Sequence, residues 1–187
     1  MKYIYLLLCV LFTIRASAQT PDLFWQKRCE FNGDAKGIAA KYTIPCGWTA
    51  EKNKGDAIKT LQYEIDDDNG IISTISIKQP EKKMTPERMD EIIKKDAELK
   101  DKSAKRLWAR KIKIDGKDCL EVAIKAKKSV LMMKVYVYTV QYVIPQGNQS
   151  VHLSYAIIGQ DDKKALQRFN EYKTLFYNLA NATDFVN

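Results

Sequence analysis

Residues 134–158 read KVYVYTVQYVIPQGNQSVHLSYAII, and the architecture is worked out from them. Val135, Tyr136, Val137, Tyr138, Val140, Tyr142, Val143 and Ile144 are β-branched and aromatic residues of the kind that pack well on a pleated surface. Pro145, Gln146, Gly147 and Asn148 interrupt the run with turn chemistry. Beyond them Val151, Leu153, Tyr155 and Ile157 alternate with Ser150, His152, Ser154 and Ala156, so the stretch predicts a hairpin. Its first strand is apolar on both parities, which requires cover on both faces of the sheet. Helices elsewhere in the chain must supply that cover.

Beyond the hairpin, Asp161 or Asp162 caps a last helix whose Leu166, Phe169, Tyr172, Phe176 and Leu179 recur at helical spacing. Upstream, Leu107, Trp108, Ile112 and Ile114 lead through Asp115-Gly116 to Leu120, Val122 and Ile124. A two-residue loop would set Ile112 opposite Cys119. A three-residue loop with a bulge at Gly116 pairs Ile112 with Leu120 and Trp108 with Ile124, and parity favours the longer loop. Thr85-Pro86-Glu87 starts a helix by capping, a fixed φ and a favourable charge, and Met89, Ile92, Ile93, Ala97 and Leu99 carry its stripe to about Lys100. Leu61, Tyr63 and Ile65 form a further hairpin with Ile71, Ser73, Ile75 and Ile77 across an acidic turn. Ile38, Ala40, Tyr42 and Ile44 make a first strand, stopped by Pro45-Cys46-Gly47-Trp48. Pro21 to Asp34 has no clean period and reads as an arm that packs Phe24, Trp25 and Phe31. The order β, ββ, α, ββ, ββ, α describes an α+β domain, an antiparallel sheet covered by helices.

Lys2, the apolar run Tyr3 to Ile14 and the exit Ala16-Ser17-Ala18 have the form of a secretory leader cleaved after Ala18. The division expected is a leader at 1–18, an arm at 19–35 and one domain at 36–187, in a periplasmic or secreted protein without a transmembrane segment. The formal charge is +8, and it is uneven: fourteen basic residues lie between Lys94 and Lys134 against six acids. Lys94, Lys95, Lys105, Arg106, Arg110, Lys111 and Lys113 form the candidate partner surface, suited to an acidic protein, lipid headgroups or nucleic acid. Only Trp108 interleaves the basic run, which weighs against single-strand nucleic acid. Cys29, Cys46 and Cys119 follow the leader, and an oxidising compartment favours one bridge. Cys29 with Cys46 is the favoured pair; pairings through Cys119, and no bridge at all, stay open.

The Ile44-Pro45-x-Gly47-Trp48 strand end, the Thr85-Pro86-Glu87 helix start, Ile114-Asp115-Gly116-Lys117 and the closing Phe176 to Phe185 segment resemble the PsbP-like family. The resemblance spans most of the chain after the leader and implies a three-layer α/β/α sandwich. That family contains a photosystem II subunit, a Ran-binding transport factor and many secreted bacterial proteins, and its members mostly bind other proteins. The Ala-Ser-Ala-Gln region is similar to leaders of secreted Bacteroidetes proteins, which implies a periplasmic address. No functional residue carries over from these resemblances.

Signals for chemistry are sparse. His152, the only histidine, shares its parity with Ser150 and Ser154, but alternate residues of one strand stand about 7 Å apart and no GxSxG elbow is present. Zinc would need about four nitrogen or sulfur ligands at suitable spacing, and the sequence does not supply them. Asp66, Asp67, Asp68 and Asn69 have the start of a calcium loop, yet Ile77 stands where the bidentate glutamate belongs. No cofactor is implied. The expectation is a non-catalytic extracytoplasmic binding or accessory protein, immunity-type proteins included. A carrier of a small apolar or acidic ligand is the alternative, and a hydrolase using His152 the third reading.

Overall fold

The computed structural model describes residues 28–51, 56–95, 103–130 and 133–186. The strands are β1 (Arg28–Ala35), β2 (Ile38–Pro45), β3 (Thr49–Glu51), β4 (Ala57–Asp66), β5 (Asn69–Lys78), β6 (Ala104–Ile114), β7 (Lys117–Val130), β8 (Met133–Gln146), β9 (Gln149–Gly159) and β10 (Asp184–Val186). The helices are α1 (Pro86–Lys94) and α2 (Asp162–Asn181). Seven strands make one antiparallel sheet in the order β3-β4-β5-β9-β8-β7-β6, and β1-β2-β10 make a second. The β8–β9 hairpin therefore lies at the middle of the main sheet, where its two-sided apolar pattern belongs.

One face of the main sheet packs on α2. Asp161 caps that helix, its carboxylate accepting from the Lys164 N–H at 2.9 Å. Phe169, Tyr172, Phe176 and Leu179 then meet Tyr138, Val140, Tyr142, Leu153, Tyr155 and Ile157 in the principal core. Ala165 and Leu175 complete the inward stripe, whereas Leu166, expected within it, is 41% exposed. It falls roughly 100° around the helix from Ala165. Ile38, Ala40, Tyr42 and Ile44 of β2 join the same core.

The opposite face is covered at one corner. Thr85 caps α1 through its hydroxyl, which accepts from the Arg88 N–H at 3.2 Å. Met89 then packs over Leu120 and Val143, flanked by Met84, Ile92, Ile93 and Val122. The helix ends at Lys94, short of the Lys100 expected, because Lys95 is extended and the Arg106 guanidinium takes up the terminal carbonyls of Ile92 and Lys95 at 2.7 and 2.6 Å. Ala97, Leu99 and Lys100 lie outside the described residues.

Two further expectations are corrected. The chain from Arg28 to Ala35 is no irregular arm but strand β1, paired along its length with β2; Phe31 stacks on Tyr42 at 5.8 Å, while Phe24 and Trp25 lie outside the described residues. The β6–β7 loop has two residues, not three: Ile114 pairs with Lys117 and Ile112 with Cys119. Asp115 and Gly116 have φ of 48° and 70°, the pair of left-handed residues that a tight type I′ hairpin demands. Parity does not set the register here because β7 is buried on both sides. Leu120 and Val122 go under α1, while Cys119 and Ala123 go under α2.

Candidate functional site

The basic stretch becomes the outer edge of the main sheet. Among the described residues β6 pairs with β7 alone, and lysines along an exposed edge oppose pairing with other chains. Alternation along the strand sends Lys111 and Lys113 to the α1 face and Arg110 to the α2 face, while a bulge between Arg106 and Trp108 returns Arg106 to the α1 face. Internal partners engage four of the seven candidates: Lys111 with Asp90 at 2.7 Å, Lys113 with Asp118 at 2.8 Å, Arg110 with Glu121, and Arg106 with the end of α1. The seven are thus not gathered into one surface. Lys94 and Lys95 stand at the end of α1, and Lys105 is exposed near the start of β6.

Glu121 was not among the sequence candidates. Its carboxylate is 3% exposed and accepts from the Trp108 indole N–H and from Arg110, Nε to Oε1 at 3.0 Å and Nη2 to Oε2 at 3.2 Å. The outer end of Arg110 reaches solvent, its side chain being 64% exposed. Tyr142, Lys173 and Tyr177 close a small pocket around the group. Burial, reinforced by the Glu121 charge, pushes the Tyr142 phenol far above its ordinary range. The arrangement is a buried carboxylate satisfied by a half-exposed arginine and an indole N–H, and it clamps the edge strand to the sheet.

Ser150 and His152 do touch, contrary to the strand-spacing argument: Ser150 Oγ and His152 Nε2 are 2.8 Å apart. The imidazole is long enough to lean along the strand and close the gap. Yet Ser150 is fully buried and His152 Nδ1 is buried without a hydrogen-bond partner. The pair therefore lacks both an approach for substrate and a third group to orient the ring. Burial, with a smaller contribution from Lys78, lowers the His152 pKa to about 4, below the range suited to a base near neutral pH.

At the acidic turn, Asp66 accepts from the Asn69 amide at 2.8 Å, from the Asp68 N–H at 3.0 Å, and from Arg168 of α2 at 3.0 Å. Burial alone would raise the Asp66 pKa, but these donors outweigh it and hold the carboxyl below its usual range. Lys164 binds Asp68 at 2.7 Å. The carboxylates are committed to fastening the β4–β5 turn to α2, and no group of acidic, histidine or cysteine side chains suited to a metal ion occurs among the described residues. Cys29 and Cys46 are joined in a disulfide with Cα atoms 5.1 Å apart. Cys119 is a buried free thiol whose pKa burial pushes up to about 12.

An open depression lies on the sheet face away from α2. Leu61, Ile71 and Ile157 belong to the α2 core, so the alternate residues Gln62, Ile72 and Ile158 point the other way. Among the described residues α1 covers only the Leu120–Val143 corner, and these side chains, with Val135 and Thr49, line an open trough of about 710 Å³. Glu64, Asp67 and Asp68 border it. Its signal in the sequence was weak, an even mixture of Gln, Thr, Ile and Ala on one parity.

No protein-family model and no curated protein matches the chain. Among solved structures it is similar to LpqN, involved in cell envelope biogenesis of Mycobacterium tuberculosis, at 14% identity over 89% of this chain and 96% of that one, with a TM-score of 0.49. A Bacteroides thetaiotaomicron protein is similar at 12% identity over 86% of this chain and 48% of its own, TM-score 0.47. The Ran-binding protein Mog1p of Saccharomyces cerevisiae is similar at 11% identity over 84% and 96%, TM-score 0.48. No helix among the described residues is long and apolar enough to cross a membrane.

Proposed function

We propose that this chain is a PsbP-like, non-catalytic accessory protein of the extracytoplasmic space that binds another protein along the open half of its main sheet. The trough floored by Ile72 and Ile158 carries this reading. An apolar floor with polar walls suits an extended protein segment, whereas a small ligand is better served by an enclosed pocket that buries most of its surface. The family reading is supported by where the motifs fall: Ile44 to Trp48 closes β2, Thr85-Pro86-Glu87 opens α1, and Ile114 to Lys117 turns β6 into β7. The address is supported by the leader pattern at residues 1–18 and by the Cys29–Cys46 bridge, since such bridges persist in oxidising compartments.

Photo-cross-linking amino acids placed at Gln62 and at Ile72, with Leu166 on the exposed side of α2 as control, test the binding reading in the native compartment. A discrete protein adduct from both trough positions and none from the control is expected. A small molecule that copurifies with the intact protein in native mass spectrometry, without an adduct, would overturn the reading in favour of a carrier. Intact mass of the exported protein checks the address: the expected form begins at Gln19.

A further inference from the structure

The β7–β8 hairpin is longer than its neighbours. β6 stops pairing at Ala104 opposite Ala126, and β9 stops at Gly159 opposite Tyr136, but β7 and β8 continue to pair through Lys128–Val135, Ser129–Lys134 and Val130–Met133. Three residue pairs project the hairpin about 10 Å beyond the sheet. Its two faces differ. Lys127 and Lys134 are exposed on the same side as Tyr136, with the Lys127 Nζ 5.9 Å from that ring, and Lys105 is exposed on the adjoining strand. The other side presents Met133, 48% exposed, Val135 and the exposed Lys128. Among the described residues, Asp162 at the base is engaged by Lys125 and by the Tyr138 hydroxyl at 2.7 and 2.6 Å.

We propose that this projecting finger docks on an anionic lipid bilayer. Every exposed cation named is a lysine: a point charge on a flexible stem suits a diffuse layer of phosphates, while arginine's planar fork suits a particular carboxylate. Lysine stems also let the charge reach the headgroups while their methylenes and neighbouring apolar groups enter the interface. Met133 and Val135 beside Lys134 supply that pairing of apolar and cationic groups where β7 and β8 run on past the last paired residues of β6 and β9. The proposal takes only the extracytoplasmic address from the functional reading, and its test uses purified components, so either can fail without the other.

The secreted chain is sedimented with vesicles of phosphatidylethanolamine and phosphatidylglycerol, and with vesicles of phosphatidylcholine alone. Binding to the anionic vesicles alone is expected, weakening as salt rises. The Lys127→Glu, Lys134→Glu pair should lower partitioning at least about tenfold with unchanged thermal unfolding. A Met133→Trp variant keeps the lysines and reports insertion directly: its added fluorescence should shift to the blue on anionic vesicles. Equal binding to both vesicle types, undiminished binding of the charge-reversed pair, or no spectral shift would each overturn the proposal. Retention on immobilised polyglutamate with no vesicle binding would overturn it in favour of an acidic polypeptide.

Discussion

Gly159 ends β9 directly opposite Asn69. A Cβ at that position would lie 2.4 Å from Asn69 Oδ1 and 3.3 Å from the Ala165 Cβ. Asn69 is 4% exposed, and its amide donates to Asp66 at 2.8 Å, so the carboxamide cannot swing aside without releasing the turn that Arg168 holds. We predict that Gly159→Ala destabilises the fold by about 2–4 kcal/mol, overpacking contributing about 1–3 and the lost hydrogen bond about 1. In a domain of this size that is a fall in Tm of roughly 5–15 °C. Asn69→Ala removes the obstructing oxygen, which itself has no hydrogen-bond partner, at an expected cost of about 1–2 kcal/mol. In that background Gly159→Ala should cost less than about 1 kcal/mol, because the next neighbour is the small Ala165 side chain and the substitution restricts the unfolded chain. Urea unfolding of the four proteins in the cycle measures the difference, expected at about 1.5 kcal/mol or more. An equal cost of Gly159→Ala in both backgrounds would refute the steric reasoning.

Three other outcomes follow from the same geometry. Arg110→Ala should destabilise by about 2–3 kcal/mol and exceed Glu121→Gln, since the first leaves a buried carboxylate with only the Trp108 N–H; denaturant unfolding showing the reverse order would remove the clamp. His152, neutral in the fold with a pKa lowered to about 4, binds a proton more readily when unfolded. Stability should therefore be fully present above about pH 6.5 and decline by roughly up to 3 kcal/mol as the pH falls to about 4, and His152→Asn should flatten that slope in thermal scans. The bridge from Cys29 to Cys46, seventeen residues apart, should be worth about 3 kcal/mol through the unfolded chain; non-reducing peptide mapping that finds both thiols free in protein from its native compartment would contradict it.

The elements visible from sequence were those with one periodicity and a clear stop. The β8–β9 hairpin, the capped starts of α1 and α2, and the acidic turn each combined a hydrophobic pattern with a local signal, and the structure places all four as expected. β1 was hidden because Arg28 to Ala35 carries one large apolar residue, Phe31, among polar and small ones. Its strand state comes from pairing with β2, not from its own pattern. The end of α1 was also invisible, because the group that takes up its carbonyls, Arg106, comes from another strand.

The misread β6–β7 loop explains why the Arg110–Glu121 pair was missed. Parity identifies the core face of a strand when one face is wet. β7 buries Leu120 beneath one helix and Cys119 beneath the other, so aligning the apolar residues Ile112 and Leu120 chose the wrong register. The two-residue turn, which Asp115-Gly116 signals by its chemistry, places Arg110 directly opposite Glu121 and Trp108 opposite Ala123. Trusting the turn over the pattern would have exposed the pair. The basic run is divided by the same geometry. Lysine density marks either a partner surface or a protected edge, and only the strand order decides between them. With β6 the last strand of the sheet among the described residues, Lys111 and Lys113 are accounted for by edge protection and internal pairing. What remains to attract a partner is the smaller set on the projecting hairpin, where β6 and β9 no longer pair.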